Sequence, residues 1–79
     1  MEADVTIVVK CFASLASFQP ADSEAFPISA GETVAQLMAR LGVPESGVAL
    51  IFVNNVHGKP DTALSGGDTV GFFPPIGGG

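Results

Sequence analysis

One short segment near the middle of the chain constrains the fold more than any other. Thr33-Val34-Ala35-Gln36 places a hydroxyl at a helix start and an amide three residues on, the reciprocal pair that satisfies two orphan backbone donors. Val34, Leu37, Met38 and Leu41 then recur at i, i+3, i+4 and i+7. Gly42 can take the left-handed conformation that closes a helix, and Pro44 follows just beyond. The predicted helix, capped at Thr33 and ending near Gly42, is about nine residues long, too short to persist alone in water. Its apolar stripe needs a sheet to lie on.

The flanking sequence supplies one. From Asp4 to Phe12, Val5, Ile7, Val9 and Cys11 alternate with Thr6, Val8, Lys10 and Phe12, a period of two that is rich in β-branched residues. Both sides are largely apolar, as in a central strand. Ala13 to Ser23 has no period, and Pro20 and Asp22 mark it as a loop. Glu24 to Ser29 is a shorter strand that Pro27 confines to an edge. After the helix, Ala49 to Asn54 is a third strand, Asn54-Asn55 a turn tolerant of positive φ, and Val56 to Gly58 a short return. Gly66-Gly67-Asp68 reads as a hairpin turn. Thr69 to Phe73 is the last strand, with Val70 and Phe72 on one face and Gly71 and Phe73 on the other. This order predicts an α+β fold: a mixed sheet of four or five strands, one helix across one face, and first and last strands able to pair in parallel. Residues 1-73 form the expected domain and 74-79 a flexible glycine tail.

Composition narrows the chemistry. A chain of 79 residues holds one domain. Its one cysteine and one histidine allow neither an internal disulfide nor a four-ligand zinc site, so aliphatics and six phenylalanines must build the core. Eight acids stand against three bases, Lys10, Arg40 and Lys59, for a net charge of −5. That balance disfavours nucleic acid and anionic membrane surfaces as partners. Charged residues make up 14% of the chain, against about 25% in typical domains, which points to surface covered by another protein. No apolar run approaches the roughly 18 residues of a membrane span. The acidic start, Met1-Glu2-Ala3-Asp4, is unlike a signal peptide, so the expected compartment is the cytoplasm.

No nucleophile with a base, paired carboxylates or metal cluster stands out. Cys11 lies mid-strand and reads as a small buried hydrophobe; His57, beside a glycine, reads as an exposed polar residue. Asp22 and Glu24 belong to a solvated loop, and Gly66-Gly67-Asp68 lacks the following helix that a phosphate cradle requires. What remains is Pro74-Pro75-Ile76-Gly77-Gly78-Gly79. It is either a frayed end or an arm: prolines keep the exit stiff, and glycines without Cβ pass channels that larger side chains would block. Such an arm reaches roughly 20 Å. Its carboxylate could enter another protein's site, be activated as an acyl adenylate and become a thiocarboxylate or an amide. Phe73 is expected to face away from the core, exposed beside the tail, and with Ile76 to anchor a partner. The competing reading has Phe73 covering a small cluster with Phe12 or Phe52.

Several motifs point the same way: Gly31, Thr33 and Val34 at the helix start, Val53-Asn54 after the third strand, then Gly67-Asp68, Val70, Pro74-Pro75 and Gly78-Gly79. Together they resemble the MoaD and ThiS family of ubiquitin-like sulfur carriers, over essentially the whole chain. The resemblance implies a β-grasp fold and a protein co-substrate, or small non-catalytic synthase subunit, with no bound cofactor. It also implies a MoeB- or ThiF-like enzyme that adenylates Gly79 with ATP, and a sulfur donor that makes the thiocarboxylate. The Phe72-Phe73-Pro74-Pro75 run looks more like the small subunit of molybdopterin synthase, so the implied acceptor is its MoaE-like large subunit, in molybdenum or tungsten cofactor synthesis. Thiazole synthase is the acceptor if the chain serves thiamin, and lysines of other proteins are the acceptors if it is a modifier. The free chain is expected to be a monomer. Two features depart from the family pattern: Leu15-Ala16-Ser17 lacks the usual arginine after the first strand, and Gly77 adds a third glycine.

Overall fold

The computed structural model describes residues 4–75. It contains β1 (Asp4–Cys11), β2 (Phe26–Ser29), α1 (Val34–Leu41), β3 (Leu50–Val53), β4 (Val56–His57) and β5 (Thr69–Phe73). The sheet order is β2-β1-β5-β3-β4. β1 pairs antiparallel with β2 and parallel with β5, while β3 is antiparallel to both β5 and β4. The mixed sheet with one helix is as the sequence predicts, and the two-residue β4 makes the fifth strand.

The ends of α1 follow from its sequence. The Thr33 hydroxyl accepts the Gln36 N–H at 3.2 Å, and the Gln36 side-chain oxygen accepts the Thr33 N–H at 2.9 Å. Gly42 closes the helix at φ 80°, where a side chain would be strained. Val34, Leu37 and Met38 are buried and Leu41 is half-buried. They pack on the inner face of the sheet, against Ile7, Val9 and Cys11 of β1, Ile28 of β2, Ile51 of β3, and Val70 and Phe72 of β5.

A charged clamp, not anticipated from the sequence, fastens the helix to the edge strand. The buried Glu32 carboxylate accepts the Ser29 N–H and an Arg40 N–H, both at 3.0 Å. Arg40 also donates to the Pro27 carbonyl at 3.2 Å, and its guanidinium lies 5.1 Å from the centre of the Phe26 ring. Edge strand β2 thereby has one of its carbonyls occupied, which limits pairing with a foreign strand.

The connections differ from expectation in two places. Ala13–Phe18 is a 3₁₀ segment rather than a loop without regular structure. Leu15 is buried there, and the Gln19 side-chain oxygen accepts the Cys11 N–H at 2.9 Å, drawing the segment back over the end of β1. A second 3₁₀ turn, Ser23–Ala25, delays the start of β2 to Phe26. The turn at Gly66-Gly67 does not form a hairpin, because β4 lies at the far edge and β3 separates it from β5. Instead it delivers β5 into the middle of the sheet, with the Gly67 N–H on the Thr6 carbonyl and the Val8 N–H on the Asp68 carbonyl, each at 2.8 Å.

Candidate functional site: the outer sheet face and the chain exit

The strand that leads to the C-terminal segment is held on both sides. The Phe12 N–H donates to the Phe72 carbonyl at 3.1 Å, and the Ala49 N–H donates to the Phe73 carbonyl at 2.8 Å. Pairing therefore continues to the last residue of β5. Pro74 and Pro75 follow outside any strand, and neither has a backbone N–H to extend the ladder. The expected site residues Ile76, Gly77, Gly78 and Gly79 lie outside the described residues.

The base of β5 is fixed by two motif residues. Asn54 donates from Nδ2 to the Asp68 carboxylate at 2.9 Å and accepts the Thr69 N–H at 2.9 Å, while the other Asp68 oxygen accepts the Ser65 N–H at 2.8 Å. Asn54 and Asn55 have φ of 55° and 68°, the positive values expected of this turn.

Along β5 the side chains alternate. Phe72 is wholly buried under α1, whereas Phe73 lies on the opposite, outer face. The register brings three rings together there. Cys11 pairs with Phe72, so Phe12 arrives beside Phe73, and Phe52 pairs with Gly71, one diagonal step away. The Phe12 and Phe73 rings stack with centroids 4.2 Å apart, and Phe52 meets Phe73 edge-on at 5.6 Å. Phe73 is consequently half-buried rather than exposed, because neighbouring rings cover it. The cluster with Phe12 and Phe52 forms, yet it is itself at the surface: Phe12 is 37% exposed and neighbouring Leu50 43%. Sequence alternation places Phe73 on this face, but only the strand register reveals its companions.

Gly71 opens a notch between the rings. A Cβ at this position would lie 3.3 Å from the Phe12 ring edge and 3.7 Å from that of Phe73. The resulting cavity of about 300 Å³ is lined by the three rings, Gly71, Lys10, Asn55 and Thr69.

Cys11 and His57 do not join this site as reactive groups. Cys11 is buried on the inner face, and that burial pushes its thiol pKa up, away from the nucleophilic thiolate. His57 is exposed on β4 and sits edge-on to Phe52 at 6.0 Å. Among the described residues, no group of three or more His, Cys, Asp or Glu could hold a metal ion. No described helix is long and apolar enough to cross a membrane.

A mixed sheet grasping one helix, with a central strand that carries the chain out of the sheet, defines a ubiquitin-like β-grasp protein. Residues 9–79 match the ThiS family, and the chain belongs to it. Among solved structures it is similar to SAMP1 from Haloferax volcanii, at 22% identity and a TM-score of 0.66 over 94% of this chain and 99% of that one. It is also similar to a Pyrococcus furiosus protein assigned as molybdopterin converting factor, subunit 1, at 28% identity and a TM-score of 0.68 over 91% of this chain and 99% of that one. No curated protein matches the chain by sequence.

Proposed function

We propose that this chain is a sulfur carrier whose reacting group is the Gly79 carboxyl, and that it acts as a protein co-substrate rather than as a catalyst. The observation that carries the reading is the family match, which extends through β5, Pro74-Pro75 and the glycines to residue 79. The fold supports it mechanically. Ladder bonds on both sides of β5 provide a firm base, and residues 74-79 can span roughly 20 Å from it. In the proposed sequence, the Gly79 carboxylate attacks the α-phosphate of ATP on a partner adenylating enzyme and releases pyrophosphate. Sulfide-level sulfur then attacks the acyl carbon, the bond to AMP breaks, AMP leaves with its electron pair, and a thiocarboxylate remains. Glycine suits both steps because it minimises crowding at the attacked carbonyl.

The acceptor we favour is the large subunit of a molybdopterin synthase. The likeness to molybdopterin converting factor subunit 1 and the Phe72-Phe73-Pro74-Pro75 run support that branch. The testing experiment is ATP–pyrophosphate exchange with the organism's adenylating enzyme, followed by mass spectrometry of the cellular protein. Exchange should vanish when Gly78 and Gly79 are deleted, and the cellular chain should carry a thiocarboxylate. Undiminished exchange by the truncated chain overturns the carrier reading. Lysine adducts without thiocarboxylate would make the chain a modifier, and thiocarboxylate sulfur that reaches a thiazole would move it to the thiamin branch.

A further inference from the structure

Phe73 ends β5, and its carbonyl is held in a way that regular strand pairing does not require. The register sets Leu50 opposite Phe73. Ala49, one residue outside β3 and on the exit side of that pair, also donates its N–H to the Phe73 carbonyl, at 2.8 Å. Two residues thus face one, as in a β-bulge, a device that bends a strand or ends its pairing. Among the described residues, β1 offers no matching hold. The Phe12 N–H reaches the Phe72 carbonyl, one residue short of the exit, and Ala13, at φ 53°, turns the chain away into the 3₁₀ segment. The end of β5 is therefore gripped later from the β3 side than from the β1 side.

We propose that Ala49 is a positioning residue: through its N–H it fixes the direction in which Pro74-Pro75 leave the sheet. The inference rests on the carrier reading, in which the Gly79 carboxyl must meet the α-phosphate of ATP on another protein. The Phe73 carbonyl lies in the peptide plane that joins Phe73 to Pro74, so a pinned oxygen pins that plane. Pro74 and Pro75 each lock φ at about −65°. Phe73 and Pro74, each preceding a proline, are confined to extended backbone. The direction set at Phe73 is thereby carried through two stiff residues, at about 3.1 Å each. Released, the exit can swing: a tilt of about 20° moves the end of an arm of roughly 20 Å by roughly 7 Å. Reacting atoms must come within about 3–3.5 Å of each other. Glycines can bend to recover the displacement, but the conformations they must then give up lower the fraction of bound chains that are aligned. Ala49 acts only through Phe73, and its part in the reaction is to raise that fraction.

The experiment is ATP–pyrophosphate exchange with the full chain and the organism's purified adenylating enzyme, resolved into kcat and KM. Ala49→Pro removes the N–H and little else. Ala49 is exposed and outside the strand, and Val48 before it is already extended, at φ −116° and ψ 120°, as a residue before proline must be. The variant should lower kcat about three- to tenfold, the factor that one net backbone hydrogen bond supports. KM, which reads docking of the folded domain, should not change. Ala49→Ser keeps the N–H and should turn over like wild type. Pro74→Ala combined with Pro75→Ala removes the stiff transmission and should lower kcat by a similar factor; adding Ala49→Pro to that pair should then cost nothing further. Wild-type kcat in Ala49→Pro overturns the inference, and so does a loss confined to KM. If thermal melts show that Ala49→Pro does not fold, the proline pair decides: a lowered kcat at unchanged KM supports the inference, and wild-type kcat overturns it. A wild-type chain that elicits no exchange sinks the carrier reading and this inference with it, whereas normal exchange in wild type and in Ala49→Pro alike sinks this inference alone.

Discussion

The two faces of the sheet use the same residue types for different ends. Inside, Phe72 and Val70 of β5 and Ile7 and Val9 of β1 are almost wholly removed from water by α1. Outside, Phe12, Phe52 and Phe73 gather without any covering element, and they remain partly wet. Burial on the inner face is completed by folding; on the outer face the rings cover one another only in part. Phe72 and Phe73 are chemically identical neighbours, so strand alternation alone puts one under the helix and leaves the other half-buried on the outer face.

The largest expected effect breaks the inner face. Phe72→Ala removes a fully buried ring, at a cost of about 3–5 kcal/mol. Small domains have only about 5–15 kcal/mol in total, so urea unfolding should show a chain close to its limit at ambient temperature. A midpoint near wild type would mean that the inner face is not the principal core. The clamp comes next. Arg40→Ala leaves the buried Glu32 carboxylate with only the Ser29 N–H, and should cost about 1–3 kcal/mol. Because the clamp sits between β2 and α1, partner affinity of the folded variant should not change. A variant that melts early and also binds weakly would show that the two faces are coupled.

Phe73→Ala sharpens the contrast. Loss of the stacked and edge-on ring contacts should cost about 1 kcal/mol of stability. Loss of a docking anchor should cost about 2 kcal/mol or more in affinity for the adenylating enzyme. If its thermal midpoint falls as far as that of Phe72→Ala while affinity holds, Phe73 is a core residue and docking happens elsewhere.

How much of this was legible beforehand depended on the range of the signal. The ends of α1 could be read because Thr33, Gln36 and Gly42 act within a few residues, and Asn54-Asn55 announced its turn for the same reason. The outward placement of Phe73 followed from the period of two. The 3₁₀ segment at Ala13–Phe18 could not be read, because its causes are the burial of Leu15 and a bond from Gln19 back to Cys11. The turn at Gly66-Gly67 reads as a hairpin because local sequence says that a chain reverses, not which strand it then joins. Likewise Glu32 and Arg40, eight residues apart, meet only once the helix is docked on the sheet. The notch is the same kind of case: Gly71 looks like a weak strand residue until β1 and β3 bring Phe12 and Phe52 to its sides.

The smallest effect tests whether the inner face is sealed at the point where it adjoins the outer one. Cys11 and Phe12 are consecutive, the thiol turned into the core and the ring out of it. Burial raises the Cys11 pKa above its ordinary value of 9.0, so the folded state holds the thiol proton more tightly than the unfolded state does. Below the unfolded value both states are protonated and this contribution is fully present. As pH rises through that value and on towards the folded one, the unfolded chain ionises first and stability is lost. The urea midpoint should therefore fall between neutral pH and about pH 10, and Cys11→Ala should lose less over the same interval. Lys10 and Lys59 are common to both proteins, which makes the difference between the two curves the contribution of the thiol. If the curves run parallel, Cys11 is reached by water in the folded state, and the boundary between the two faces is less sharp than the packing indicates.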